Sequence, residues 1–240
     1  MNEWHKKFFN ELYLNLFMKR TQDMIDKEVS LITSLFPMEE IQSIMDVCCG
    51  IGDLTNEISN RYRIRACGIE YSEDYIKNKV LKNIIHGDAR ESQTEEKFDL
   101  VLNWWSSFSY FNTTDNYKIL ENCYKYTNKY FILETANVFN IVRFFEPNIQ
   151  YSKQFNNEVY QIDRISNINL VENKLEQKFV FHHNGITSEY DTESYLYTPK
   201  DMQEMLYNIG FKKVQILGKK ENELMHLSLN APRILIKAEK

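Results

Sequence analysis

Apolar residues recur at helical spacing over residues 3–35 (Trp4, Phe8, Leu12, Leu16, then Met24, Ile25, Val29, Ile32), with no Pro or Gly to interrupt them. This pattern predicts two helices ahead of the first strand. The period then changes. Ile41 to Cys48 is a short apolar run that ends in the turn Cys49-Gly-Ile-Gly52, after which Leu54, Ile58 and Tyr62 return to helical spacing. A strand, a turn and a helix are predicted. The alternation continues with strands at 65–70, 84–87, 98–103 and 130–134 and helices at 74–82 and 116–127. Such a rhythm predicts an α/β fold: a doubly wound, mostly parallel, Rossmann-like sheet that binds its ligand beyond the carboxyl ends of the strands.

After Phe145 the rhythm breaks. Residues 159–168, 175–181 and 189–197 read as antiparallel strands, the last two joined by the turn signal His182-His183-Asn184-Gly185. Helix 199–210 carries its own punctuation: Thr198 as N-cap, Pro199 at the first helical position and Gly210 just past the end. Strands at 213–217 and 232–238 close a seven-stranded main sheet. With no repeat and no low-complexity linker, the chain reads as one domain over 1–240. It carries an N-terminal helical cap over about 1–36 and an antiparallel insert over about 150–197 that forms part of the acceptor site.

Composition narrows the function. At 240 residues, 43% hydrophobic, with 7 Gly and 4 Pro, the chain is long and apolar enough to bury one sizeable core. Net charge is −5 and no basic run occurs, which disfavours a nucleic-acid partner. Cys48, Cys49, Cys67 and Cys123 form no C-x-x-C pair, so they read as reduced thiols in a cytoplasmic protein. Residues 1–19 lack the apolar core of a signal peptide, and no run approaches the roughly 18 apolar residues that span a membrane.

The candidate chemistry sits at strand ends. Asp46 to Asp53 forms the first strand-to-helix turn, where Gly50 and Gly52 let the backbone approach a ligand that a Cβ would push away. Glu70 ends the second strand and suits two ribose hydroxyls, and Tyr71 beside it offers a face to adenine. Asp88, followed by Ala89, can accept adenine amino hydrogens, and Asn103 ends the fourth strand. Together these residues describe one nucleoside pocket. A dinucleotide fails on Thr55, where the G-x-G-x-x-G fingerprint requires a small third residue.

The stretches Asp46 to Gly52, Gly68-Ile69-Glu70, Gly87-Asp88-Ala89-Arg90 and Ser107-Phe108-Ser109-Tyr110-Phe111 resemble the patterns D-x-G-C-G-x-G, an acidic second-strand end, G-D-x-R and S-F-G-Y-F. These patterns are similar to those of class I S-adenosylmethionine-dependent methyltransferases of the small-molecule type. The likeness extends to Tyr13-Leu14 and Arg20 before the sheet and to 228–233 before the last strand. Cys48 and Ser109 depart from the family's small residues, and Tyr195 stands where the pattern has Arg. The resemblance implies S-adenosyl-L-methionine as cofactor, with Tyr13 and Arg20 closing over its methionine end and Arg20 pairing its carboxylate.

For the acceptor, Trp104 follows the fourth strand and is either a site residue or core. Tyr110, Glu134 and the insert are expected to form the acceptor wall, with Tyr110, Glu134 and His226 as candidate catalytic groups. Trp104, Trp105, Phe108, Tyr110, Tyr195 and Tyr197 offer an aromatic cage for an amine. Asp115, Asp163, Asp191 and the histidines make no coherent metal ligand set. The expected activity is methyl transfer to nitrogen or oxygen of a small molecule by a monomer or homodimer. The alternatives are a nicotinamide-dependent oxidoreductase and a non-catalytic module with a relic cofactor fold.

Overall fold

The computed structural model describes residues 3–240. Strands β1 (Ser43–Val47), β2 (Arg65–Glu70), β3 (Ile84–His86), β4 (Phe98–Asn103) and β5 (Thr127–Ala136) run parallel in the order β3-β2-β1-β4-β5. Their apolar runs are two interleaved sets, because successive side chains point to opposite faces. Ile44, Leu100, Leu102 and Ile132 fill one core, and Met45, Val101, Phe131 and Leu133 fill the other. The first core is covered by Val29 and Ile32 of the N-terminal segment and by Leu54 and Ile58 of the crossover helix at Asp53–Tyr62. Ile119 and Cys123 of the helix at Thr113–Tyr126, with Met202 and Leu206 of the helix at Pro199–Ile209, cover the second.

A separate antiparallel meander follows: β6 (Asn148–Phe155), β7 (Glu158–Asn169), β8 (Lys174–His183) and β9 (Ile186–Tyr195). Strand β6 was not expected, because Gln150, Ser152, Lys153 and Gln154 dilute its apolar signal. The turn before β7 is nevertheless typical of a tight hairpin, with Asn156 at φ 52° and Asn157 at φ 63°. The predicted turn at 182–185 shrinks to Asn184-Gly185, both at positive φ, and His182 and His183 belong to β8. Thr198 caps the helix at Pro199–Ile209 in a full capping box with Asp201, as its punctuation predicts.

The chain then completes the main sheet with β10 (Lys212–Lys220), β11 (Glu223–Met225) and β12 (Arg233–Glu239). β12 lies antiparallel between β5 and β10. The short edge strand β11 makes the main sheet eight-stranded rather than seven.

The N-terminal segment is more broken than its pattern implies; Met1 and Asn2 of the predicted 1–36 cap lie outside the described residues. Helix α1 (Trp4–Phe8) is followed by one helical turn, α2 (Glu11–Tyr13), a π turn at Leu14–Met18 and α3 (Gln22–Ser34). Local side chains set the breaks. Asn10 accepts the Tyr13 amide at 3.0 Å and Thr21 accepts that of Met24, so each starts a new helix. Trp4, Phe8 and Leu16 pack on Ile162 and Phe181 of the second sheet, in a third core. Likewise the helix predicted at 74–82 ends at Lys77, where the Val80 amide donates to the Ile51 carbonyl and the chain folds back under the glycine turn.

Candidate active site

The turn after β1 is built from left-handed backbone. Cys48 (φ 67°), Gly50 (φ 60°) and Gly52 (φ 76°) all lie at positive φ. The Gly50 amide donates to Glu70 Oε2 at 2.9 Å, while Glu70 Oε1 accepts the amides of Tyr71 at 2.9 Å and Ser72 at 2.7 Å. Backbone amides of two strand ends thus hold one carboxylate in place. Burial raises the Glu70 pKa, and these three bonds oppose the rise. Gly50 faces open space, where an added Cβ would meet only Met18 Cε at 3.6 Å. Gly52 does not: its Cβ would strike Leu81 Cβ at 2.5 Å. Its glycine serves protein packing and the start of a helix, which corrects its expected ligand-facing role.

These groups open onto a cavity of about 600 Å³ at the carboxyl ends of the parallel strands, within the size range of cofactor pockets. Gly50, Cys48, Glu70, Tyr71, Asp88 and Ala89 line it from the sheet side, and Tyr13, Phe17 and Tyr110 line it from the other. Tyr13 stacks on Phe17 with ring centres 4.8 Å apart, and burial pushes its phenol up to about 12. Both Asp88 oxygens accept from Arg90, at 2.6 to 3.1 Å. Burial raises the Asp88 pKa, but the Arg90 hydrogen bonds and charge more than compensate and hold it below the usual carboxylate value. Burial also pushes the Cys48 thiol well above its ordinary value, so it stays protonated.

Two residues without a sequence motif to mark them also line this cavity. His5 and Tyr75 are buried, and the two His5 ring nitrogens and the Tyr75 hydroxyl have no hydrogen-bond partner among the described residues. Buried polar groups are normally satisfied. Orphans around a cavity with two carboxylates fit a polar nucleoside ligand. The only sequence signal was His5 on an otherwise aromatic helix face.

Other expected residues sit elsewhere. Arg20 is not free for a ligand carboxylate: it donates to Glu28 at 2.6 Å and is paired with Asp53. Asp46 lies beneath the turn, accepting from Thr55 Oγ1 at 2.9 Å, with its pKa pushed up to about 7 by burial. Asn103 donates to the Val47 carbonyl at 2.9 Å and is fully buried; it ties β4 to β1 from below the cavity. Trp104 is core, packed with Ile41, Leu102 and Leu235, and its neighbour Trp105 lines the cavity instead. The swap follows from backbone geometry, since Trp105 and Ser106 adopt positive φ and the chain turns over after Trp104.

Glu134 is 2% exposed and held by Lys219 at 2.8 Å and by Arg233, which also donates to Ser106 Oγ. Burial raises its pKa, but the charges and hydrogen bonds of Arg233 and Lys219 outweigh burial and hold it low. An acid so paired is a structural anchor and a poor base. His226 lies beyond β11 and lines neither this cavity nor the one beneath the second sheet.

Tyr110 stands between this cavity of about 600 Å³ and a second cavity of about 200 Å³, roofed by Tyr195 and Leu175 of the antiparallel sheet and floored by Phe108, Thr135 and Ser106. Among the described residues, no charged side chain lines this second space. The meander is tied to its rim by the Tyr195 amide, which donates to the Ser109 carbonyl at 2.7 Å. A wider groove of about 930 Å³ lies on the far side of Trp105, between α3 and the β10–β12 end of the sheet. Among the described residues, no group of three or more His, Cys, Asp or Glu converges on a metal position, and no helix is long and apolar enough to cross a membrane.

Comparison with known proteins agrees with this geometry. Residues 44–129, from β1 through the start of β5, match the family model described as a methyltransferase domain. No match is found among curated protein sequences. Among solved structures, an S-adenosylmethionine-dependent methyltransferase from Clostridium acetobutylicum superposes with a TM-score of 0.77 at 13% identity, covering 98% of each chain. An amino pentose methyltransferase from Micromonospora echinaspora, solved with S-adenosylmethionine bound, gives 0.69 at 12% identity over 92% of each chain. A sugar N-methyltransferase from a Streptoalloteichus species gives 0.68 at 11% identity over 94% of this chain and 91% of its own. At these identities the likeness is one of fold. Residues 44–129 are thus similar to a methyltransferase domain, and the chain as a whole shares the fold of these S-adenosylmethionine-dependent methyltransferases.

Proposed function

We propose that this enzyme transfers a methyl group to the nitrogen of a small amine held in the cavity beneath the antiparallel sheet. The observation that carries this reading is the position of Tyr110, which borders both that cavity and the cofactor cavity. When bound, S-adenosylmethionine supplies a methyl group on a sulfonium, an electrophile that needs alignment more than activation. Glu70 and Asp88 would hold its nucleoside part and Gly50 the adjoining chain. Tyr13 and Tyr110 would exclude water from the methyl end. In this reading the N-terminal segment is a cap and the meander forms one wall of the acceptor site.

Nitrogen is preferred to oxygen on chemical grounds. An alcohol must lose its proton to a base as it attacks, whereas a neutral amine already presents a lone pair. Among the described residues, the second cavity is lined by no carboxylate or imidazole, and burial raises the pKa of the Tyr110 phenol. An amine that enters neutral needs neither. The Micromonospora protein is by its name an amino pentose methyltransferase and the Streptoalloteichus protein a sugar N-methyltransferase, and this adds support for an amino sugar or similarly sized amine. The enzyme is taken to work in the cytoplasm as a monomer or homodimer, its four cysteines free thiols. Incubation with labelled donor and matched amino and hydroxy sugars tests the reading. The amino compound should gain methyl groups at a rate that climbs with pH through its own pKa. Methylation of the hydroxy compound alone would refute it.

A further inference from the structure

We propose that the imidazole of His5 is a hydrogen-bonding partner of the adenine base, brought to the cofactor cavity by α1. The inference rests on the cavity being the S-adenosylmethionine site. His5 is 8% exposed, and neither ring nitrogen has a partner among the described residues. It is wedged edge-on against Phe111 at 4.9 Å and lies 5.7 Å from Tyr71, in the cavity that Asp88 also lines.

A histidine that merely packed here would gain nothing from its nitrogens. Trp4, Phe8 and Phe9 show that the surrounding helix face is aromatic, so Phe in its place would fill the space and leave no polar group dry. The adenine edge, in contrast, offers amino donors beside ring-nitrogen acceptors. Asp88 is acceptor-only and already receives three hydrogen bonds from the Arg90 side chain. A neutral imidazole carries one donor and one acceptor and can meet either kind of group on the base. Burial and the nearby Arg90 charge favour that neutral form, against the weaker pull of Asp88 and Glu3.

The test compares the intact protein with H5F and H5Q, using S-adenosylhomocysteine as the calorimetric probe and the melting temperature of the ligand-free proteins as a second readout. H5F keeps the ring and removes both nitrogens. It should bind the probe on the order of five- to tenfold more weakly, the loss of about one hydrogen bond. Its ligand-free melting temperature should hold or rise. H5Q, with an amide donor and acceptor, should recover most of the affinity. Wild-type affinity in H5F, or parallel losses of melting temperature and affinity in both variants, overturns the proposal. If the wild-type protein fails to bind the probe, the donor assignment itself falls, and the inference with it.

Discussion

Two carboxylates end strands of the same sheet and have opposite fates. Glu70, at the end of β2, is held by three backbone amides, and no cation pairs with it among the described residues. Glu134, near the end of β5, is held by Lys219 and Arg233 and is almost fully buried at the wall of the groove beyond Trp105. Backbone amides orient a carboxylate without supplying a counter-charge, so no side-chain cation cancels the charge of Glu70 at the edge of the cavity. Two cations cancel the charge of Glu134 and turn it into a weld between β5, β10 and β12. A strand-end acid is therefore a site residue or a structural one according to what holds it, and its position in the strand does not distinguish the two.

The contrast can be broken by exchanging each acid for its amide. E134Q leaves two buried cations facing a neutral group, and the protein should lose about 3 kcal/mol of stability at pH 7. Its affinity for S-adenosylhomocysteine should stay within about twofold of wild type, since Glu134 does not line the cavity that Glu70 lines. The pH dependence follows from sign. The folded-state pKa of Glu134 lies below its unfolded value, so its contribution is present above the ordinary glutamate range and is lost as pH falls through the folded pKa. Chemical denaturation of wild type and E134Q should converge on acidification, and a gap that persists unchanged at low pH would count against the ion pair.

E70Q should reverse the pattern. Affinity for S-adenosylhomocysteine should fall about tenfold by calorimetry, because one acceptor oxygen becomes a donor among backbone amides and ribose hydroxyls. The Glu70 pKa is raised in the fold, so its charge costs stability as pH rises above the ordinary glutamate range. In E70Q that cost is relieved, but a backbone amide loses its acceptor, so the stability change at pH 8 should be small beside that of E134Q. A smaller effect is expected at Cys48, which holds φ 67° where the resembling family uses glycine. C48G should relieve left-handed strain of about 1 kcal/mol and raise the melting temperature by a few degrees. An unchanged or lower value would show that the lost thiol packing matters more.

Much of this molecule could be read from its letters. Strands β2 and β4 fall where the apolar runs put them, and Thr198, Pro199 and Gly210 bound their helix, because these are local effects of side-chain period, capping and turn chemistry. Gly50, Glu70 and Asp88 converge because a parallel sheet brings its carboxyl ends together whatever its loops do. The opposite is true wherever partners come from distant segments. Arg20 could not be seen to spend itself on Glu28 and Asp53, nor Gly52 to face Leu81, nor Glu134 to meet residues 85 and 99 positions away. Trp104 and Trp105 are adjacent in sequence, and only the turn of the backbone decides which is core and which is wall. The sequence by itself thus determined the parallel strands, the helix at Pro199–Ile209 and the meeting of Gly50, Glu70 and Asp88 at one cavity through short-range rules. Tertiary structure alone decided which charges are cancelled, that the ring nitrogens of His5 and the hydroxyl of Tyr75 are buried with no partner among the described residues, and that Tyr110 borders two cavities, because those depend on long-range packing and desolvation.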